Sequence, residues 1–129
     1  MPDGILERAG TPDHPITVEN APGPVTLKAG HIVLARSDRA LILREGTYPP
    51  VYYLPKDAVS EGSLSMVEKS THCPYKGDAT YWDFALPDDR TANAAVWSYE
   101  TPIEGMASIQ GHIAFYTDAL GADFDPPAV

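Results

Sequence analysis

The chain has 129 residues and 43% hydrophobic content, a size and composition that suit one globular domain burying its own core, so residues 1–129 are read as one unit. Nine Lys and Arg against eighteen Asp and Glu give a formal net charge of −9, which argues against nucleic acid and anionic membrane surfaces as partners. A lone cysteine excludes an internal disulfide and a zinc site of paired CxxC motifs; with no basic-then-apolar leader and no run approaching ~20 apolar residues, a cytoplasmic protein is expected.

Thirteen prolines and ten glycines interrupt the chain at short intervals and leave little room for long helices, so short strands are the natural filling. Residues 1–15 carry three prolines and little periodicity, and read as an extended N-terminal arm. From Val25 to Ala29, Val25, Leu27 and Ala29 alternate with Thr26 and Lys28, the pattern of a half-buried strand. Gly30 turns the chain and residues 32–36 return antiparallel. After a turn at Ser37, Asp38 and Arg39, residues 40–43 are apolar at every position, as in a strand covered on both faces. These three strands are expected to form a meander.

The prolines at 49 and 50 force an extended or turning backbone before a strand over residues 51–54. Residues 56–59 suit one helical turn, and 63–68 another strand. The following segment, THCPYKGDATY, contains Pro74 and Gly77 and reads as an irregular loop held between strands. Residues 80–86 alternate with a period of two and are rich in aromatics; Pro87 to Arg90 forms a hairpin-type turn and residues 94–99 return. Residues 102–109 suggest a short helix, with Thr101 as N-cap and Pro102 at its first position. Residues 113–116 close the sheet, and 119–129 form a polar tail.

Four runs, RALILREGTYPPVYYLPKDAV, THCPYKGDATYW, NAAVWSYETP and GHIAFY, occur in that order over roughly residues 24–118, the expected family core. Together they resemble the family termed domain of unknown function 427. The resemblance implies a mainly β fold of the β-tent type: two antiparallel sheets meeting at an angle around an open cleft, with one or two short helical turns. It implies no known activity and no cofactor. A nucleotidyltransferase label sometimes attached to that family has no support in this chain, which lacks a glycine-serine phosphate loop followed by a paired-aspartate metal motif.

Segment 71–81 concentrates the side chains able to do chemistry. His72 and Lys76 lie near Cys73 and would lower the pKa of its thiol, the requirement for a reactive cysteine. Neighbours on an extended backbone face opposite ways, however, so His72 and Cys73 should diverge, and the alternative is a small buried residue fixing a turn. Lys76 beside Gly77 offers an ammonium next to accessible backbone amides, an anion site or else a solvated turn. The family pattern carries Arg44 and Glu45 of the LREG segment and Tyr52 and Tyr53 of the VYYLP segment. One member of each pair would line a shared cleft, while the alternative for Arg44 and Glu45 is a structural salt bridge with Lys76 or Asp78.

Trp97 and Tyr99 share one face of their strand, and with Tyr81 they would either wall a cleft suited to a planar or cationic ligand or fill the core. His31 and His112 lack metal-ligand spacing, and His14 lies in the arm; no metal site is expected. Two function classes follow. In the first, a small anionic or planar metabolite binds between the sheets, with Arg44 and Lys76 holding charge, Tyr53, Trp97 and Tyr99 as walls, and His72 moving a proton. In the second, the domain docks a protein partner on its open face and its polar motifs are structural.

Overall fold

The computed structural model describes residues 5–128. Eleven strands run in chain order: β1 (Ile5–Thr11), β2 (His14–Asn20), β3 (Val25–Ala29), β4 (Ile32–Ser37), β5 (Leu41–Glu45), β6 (Val51–Pro55), β7 (Leu64–Cys73), β8 (Gly77–Ala85), β9 (Thr91–Ser98), β10 (His112–Phe115) and β11 (Asp123–Asp125). A single helical turn, α1 (Thr117–Leu120), precedes β11, and 3-10 turns occupy Lys56–Ala58 and Ala107–Ile109. The named strands all pair antiparallel within two sheets, an eight-stranded one in the order β1-β2-β5-β6-β10-β9-β8-β7 and a three-stranded one in the order β11-β3-β4. The fold is mainly β, as expected.

The eight-stranded sheet buries both faces. On its outer face Ile42, Leu54, Phe84, Val96 and Phe115 pack against Leu27 and Leu34 of the small sheet and Leu120 of α1. On its inner face Ile16, Val18, Leu43, Tyr53, Tyr99, Met106 and Ile109 form a second core. Residues 40–43 are therefore apolar throughout because alternate side chains enter different cores, Ile42 outward and Leu41 and Leu43 inward.

Contacts between distant strands show how the large sheet bends. β5 and β8 stand four places apart, about 19 Å in a flat sheet. Yet Lys76, just before β8, bonds Glu45 of β5 at 2.6 Å. Glu7 of β1 likewise accepts the backbone N–H groups of Ala107 and Ser108 at 3.1 and 2.6 Å. The halves β1-β2-β5-β6 and β10-β9-β8-β7 thus fold toward one another over the inner core. They join along a short ridge, where His112 lies opposite Pro55 and Ile113 opposite Leu54.

Several expectations change. Most of the stretch read as an arm is hairpin: β1 pairs with β2, turning where Thr11 faces His14. Gly10 is required there, since its φ is 80° and a Cβ would sit 2.1 Å from the His14 carbonyl oxygen. The meander is broken, because β4 stays in the small sheet while β5 inserts between β2 and β6. Segment 71–81 is a β-hairpin rather than an irregular loop, with Cys73 opposite Gly77 and Thr71 opposite Ala79. Residues 102–109 yield a 3-10 turn starting after Met106 rather than a helix capped by Thr101, because Gly105 at φ 95° turns the chain first. β10 lies in mid-sheet. The polar tail folds as α1, ended by Gly121 in the left-handed conformation, and β11, whose Phe124 meets Tyr52 and Phe115 at ring separations of 4.9 and 6.1 Å.

Candidate functional site

The two halves of the sheet enclose the inner core, and one end of that space is closed by charge. Lys76, 12% exposed, donates to Glu45 Oε1 at 2.6 Å, while His14 Nε2 lies 2.8 Å from Oε2. The His14 ring stacks on Tyr75 with centroids 4.5 Å apart, and the Lys76 ammonium lies 5.8 Å from the Tyr99 ring centre. Burial pushes the Glu45 carboxyl up, but hydrogen bonds from Lys76 and His14 and their positive charge outweigh it and hold it below its ordinary value. Gly77 completes this closure. Its φ is 112°, and a Cβ would lie 3.3 Å from the Thr101 carbonyl oxygen and 3.4 Å from Ile103 N, which donates to the Lys76 carbonyl at 3.0 Å. The close approach that glycine permits is to the chain's own backbone.

The other end is lined by rings. Tyr81, Trp97 and Ala114 stand opposite one another on β8, β9 and β10. The small Ala114 leaves room over β10 for Trp97 to reach across to Tyr53, whose hydroxyl accepts the indole N–H at 3.2 Å. Tyr116, just past β10, lies on Trp97 at 4.5 Å with a tilt of 44°, and is 44% exposed. Tyr81 exchanges a 2.8 Å hydrogen bond with Thr71, and the Lys69 ammonium sits 4.4 Å from the Tyr81 ring centre. Burial raises the pKa of Tyr53 and Tyr99, and burial followed by the hydrogen bond to Tyr81 raises that of Tyr116. These phenols stay neutral, with Tyr53 and Tyr99 buried and Tyr116 exposed.

The structure gathers seven of the expected residues, Glu45, Tyr53, Lys76, Gly77, Tyr81, Trp97 and Tyr99, around the space between the halves, divided between its two ends. Arg44 lies on the outer face, where its Nε donates to Glu19 at 2.6 Å. Tyr52 also points outward. His72 is exposed and bonds Asp78 at 2.8 Å, while Cys73 packs against the inner core, so the two diverge as strand geometry requires. Trp97 is half-buried rather than sealed in the core. Sequence reasoning missed His14, Lys69, Tyr75 and Tyr116. For His14 the signal was the alternation of Ile16 and Val18 with Thr17 and Glu19 just beyond it, which marks a strand. Among the described residues no three His, Cys, Asp or Glu side chains come together as metal ligands, and no helix is long and apolar enough to cross a membrane.

A family model described as Domain of unknown function (DUF427) matches residues 17–125, and the chain belongs to that family. The match runs from β2 to β11 and includes strands in both sheets. No curated protein matches the chain.

Proposed function

We propose that the chain is a small-molecule-binding module whose site is the ring cluster of Tyr53, Tyr81, Trp97 and Tyr116, and that its ligand is a planar molecule carrying an acidic group. One observation carries this reading: Tyr116 is 44% exposed while its ring lies tilted against a half-buried Trp97 at 4.5 Å, at the ring-lined end of the space. Aromatic surface left against water between two sheet halves is a place where a flat ligand gains contact area. The phenol hydroxyls supply orientation, and Lys69 supplies the positive charge an acidic substituent seeks in a chain of net charge −9. Glu45, Lys76 and Gly77 act in this reading as the clamp that fixes the halves, and His72 and Cys73 have no part in it.

The test is a thermal-shift and Trp-fluorescence titration with nicotinate, 4-hydroxybenzoate and adenosine monophosphate, with cyclohexanecarboxylate as the non-planar control. Because the chain has a second tryptophan, the fluorescence is read in a Trp82→Phe background. At least one planar acid should raise the midpoint of the wild type and quench Trp97. Tyr116→Ala should retain the fold and lose both responses. Silence from all three planar probes, or equal binding by Tyr116→Ala, would overturn the reading.

A further inference from the structure

A cavity of about 370 Å³ lies along the segment that carries the chain from the 3-10 turn Lys56–Ala58 to the start of β7. Val59 and Leu64 line it, and both pack against the outer core, so this part of the lining is apolar and anchored. Three charged residues also line it, and two of them are already engaged. Lys56 bonds Glu100 and lies 5.0 Å from the Trp82 ring centre, while Asp57 accepts from Arg39 at 2.7 Å. The third, Glu61, is exposed and makes no hydrogen bond or ion pair among the described residues. Ser60 beside it gives its carbonyl to the Ser63 N–H at 3.1 Å, and its hydroxyl is likewise unbonded among those residues. We propose that this cavity binds a small primary alkylamine as its ammonium ion.

The charge left over after internal pairing decides the class of ligand. Because Lys56 and Asp57 have counter-charges within the protein, Glu61 sets the preference, and a carboxylate without a partner favours a cation. A bare metal ion is poorly served here. Calcium takes about 6–8 oxygen ligands, far more than the side chains of Glu61 and Ser60 supply. An ammonium asks for less, since the carboxylate, the hydroxyl and water can accept its N–H donors. Val59 and Leu64 then give a short alkyl chain apolar contact that a hydrated ion cannot use. The volume sits at the small end of the range for ligand sites, about 300–1,000 Å³, which suits such a molecule. The cavity shares no residue with the ring cluster, so the two proposals stand or fall separately.

Isothermal titration calorimetry of the wild-type chain with n-hexylamine, compared with 1-hexanol and hexanoate, tests the inference. Hexylamine should bind, and the alcohol and the acid should bind weaker by about tenfold or more, the factor expected for losing one charged hydrogen bond. Glu61→Gln should weaken hexylamine by the same factor. Glu68→Gln, which removes an exposed carboxylate of β7 outside the cavity, should leave hexylamine binding unchanged, as should Tyr116→Ala. Equal weakening by Glu68→Gln and Glu61→Gln would trace binding to the net charge of the chain and overturn the site. Equal affinity for hexylamine and 1-hexanol would overturn the ligand class, and the absence of any heat with hexylamine at millimolar concentration would overturn both.

Discussion

The two ends of the space between the sheet halves solve the same problem with opposite chemistry. At one end, Lys76 and His14 both bond the Glu45 carboxylate and Gly77 lies against the 101–103 backbone, so the groups best able to react are used up in holding strands together. At the other, Tyr53, Tyr81, Trp97 and Tyr116 hold each other through hydroxyl and ring contacts yet leave aromatic surface exposed. The lesson concerns how charged motifs are read. In this chain the lysine, glutamate and histidine that come close in space are all bonded to one another. Neutral rings keep a free face after their polar atoms are satisfied.

Substitutions at each end sharpen this contrast. Gly77→Val should have the largest effect, about 3 kcal/mol lost in urea unfolding, because a β-branched residue at φ 112° adds strain to a 3.3 Å contact with Thr101. A wild-type midpoint in that variant would show that the closed end is not a structural seam. Lys76→Ala should cost about 2 kcal/mol by leaving Glu45 with His14 alone, and should spare planar-ligand binding; loss of binding in a stably folded variant would join the two ends functionally.

The Glu45 carboxyl gives a pH signature of the same end. Its folded value lies below the ordinary 4.5, so its contribution to stability is present above about pH 4.5 and is lost as pH falls through the lowered value. Urea midpoints measured from pH 6 to pH 3 should therefore fall in the wild type. In Glu45→Gln that component of the fall should be missing. Tyr116→Ala should reduce stability by no more than about 1 kcal/mol while removing ligand binding. His72→Ala is the smallest case, below about 0.5 kcal/mol by urea titration, since both members of the His72–Asp78 pair are largely exposed. A larger loss would give that pair a role the geometry does not.

Local pattern made much of the fold legible. Alternation marks β3 and β8, the turns at Gly30 and at residues 87–90 place β4 and β9 after them, and continuous apolarity marks β5. The family resemblance supplied the two sheets. What local pattern could not report is pairing: nothing in residues 32–45 says that β4 and β5 part into different sheets. Prolines misdirected the reading twice. Pro12 and Pro15 sit at the turn and second residue of the β1–β2 hairpin, where the missing N–H is tolerated, and Pro74 sits in the β7–β8 turn. The ring cluster was half legible, since strand period places Trp97 on one face of β9 and Tyr81 on one face of β8, whereas their standing opposite one another and the approach of Tyr116 enter only through strand pairing.

The pairing of β11 with β3 has a consequence for how the chain is made. Phe124 stands opposite Leu27, and Lys28 reaches Asp125 across 97 positions of sequence. At about 5–20 residues per second, roughly 5–20 s of synthesis separate the emergence of β3 from that of its partner. Until then the β3 edge of the β3–β4 hairpin is unpaired, and the Pro126 carbonyl that accepts the Tyr52 hydroxyl has not yet been made. The small sheet is accordingly completed only after the intervening residues have been made, whereas the β7–β8 and β8–β9 hairpins need only their near neighbours.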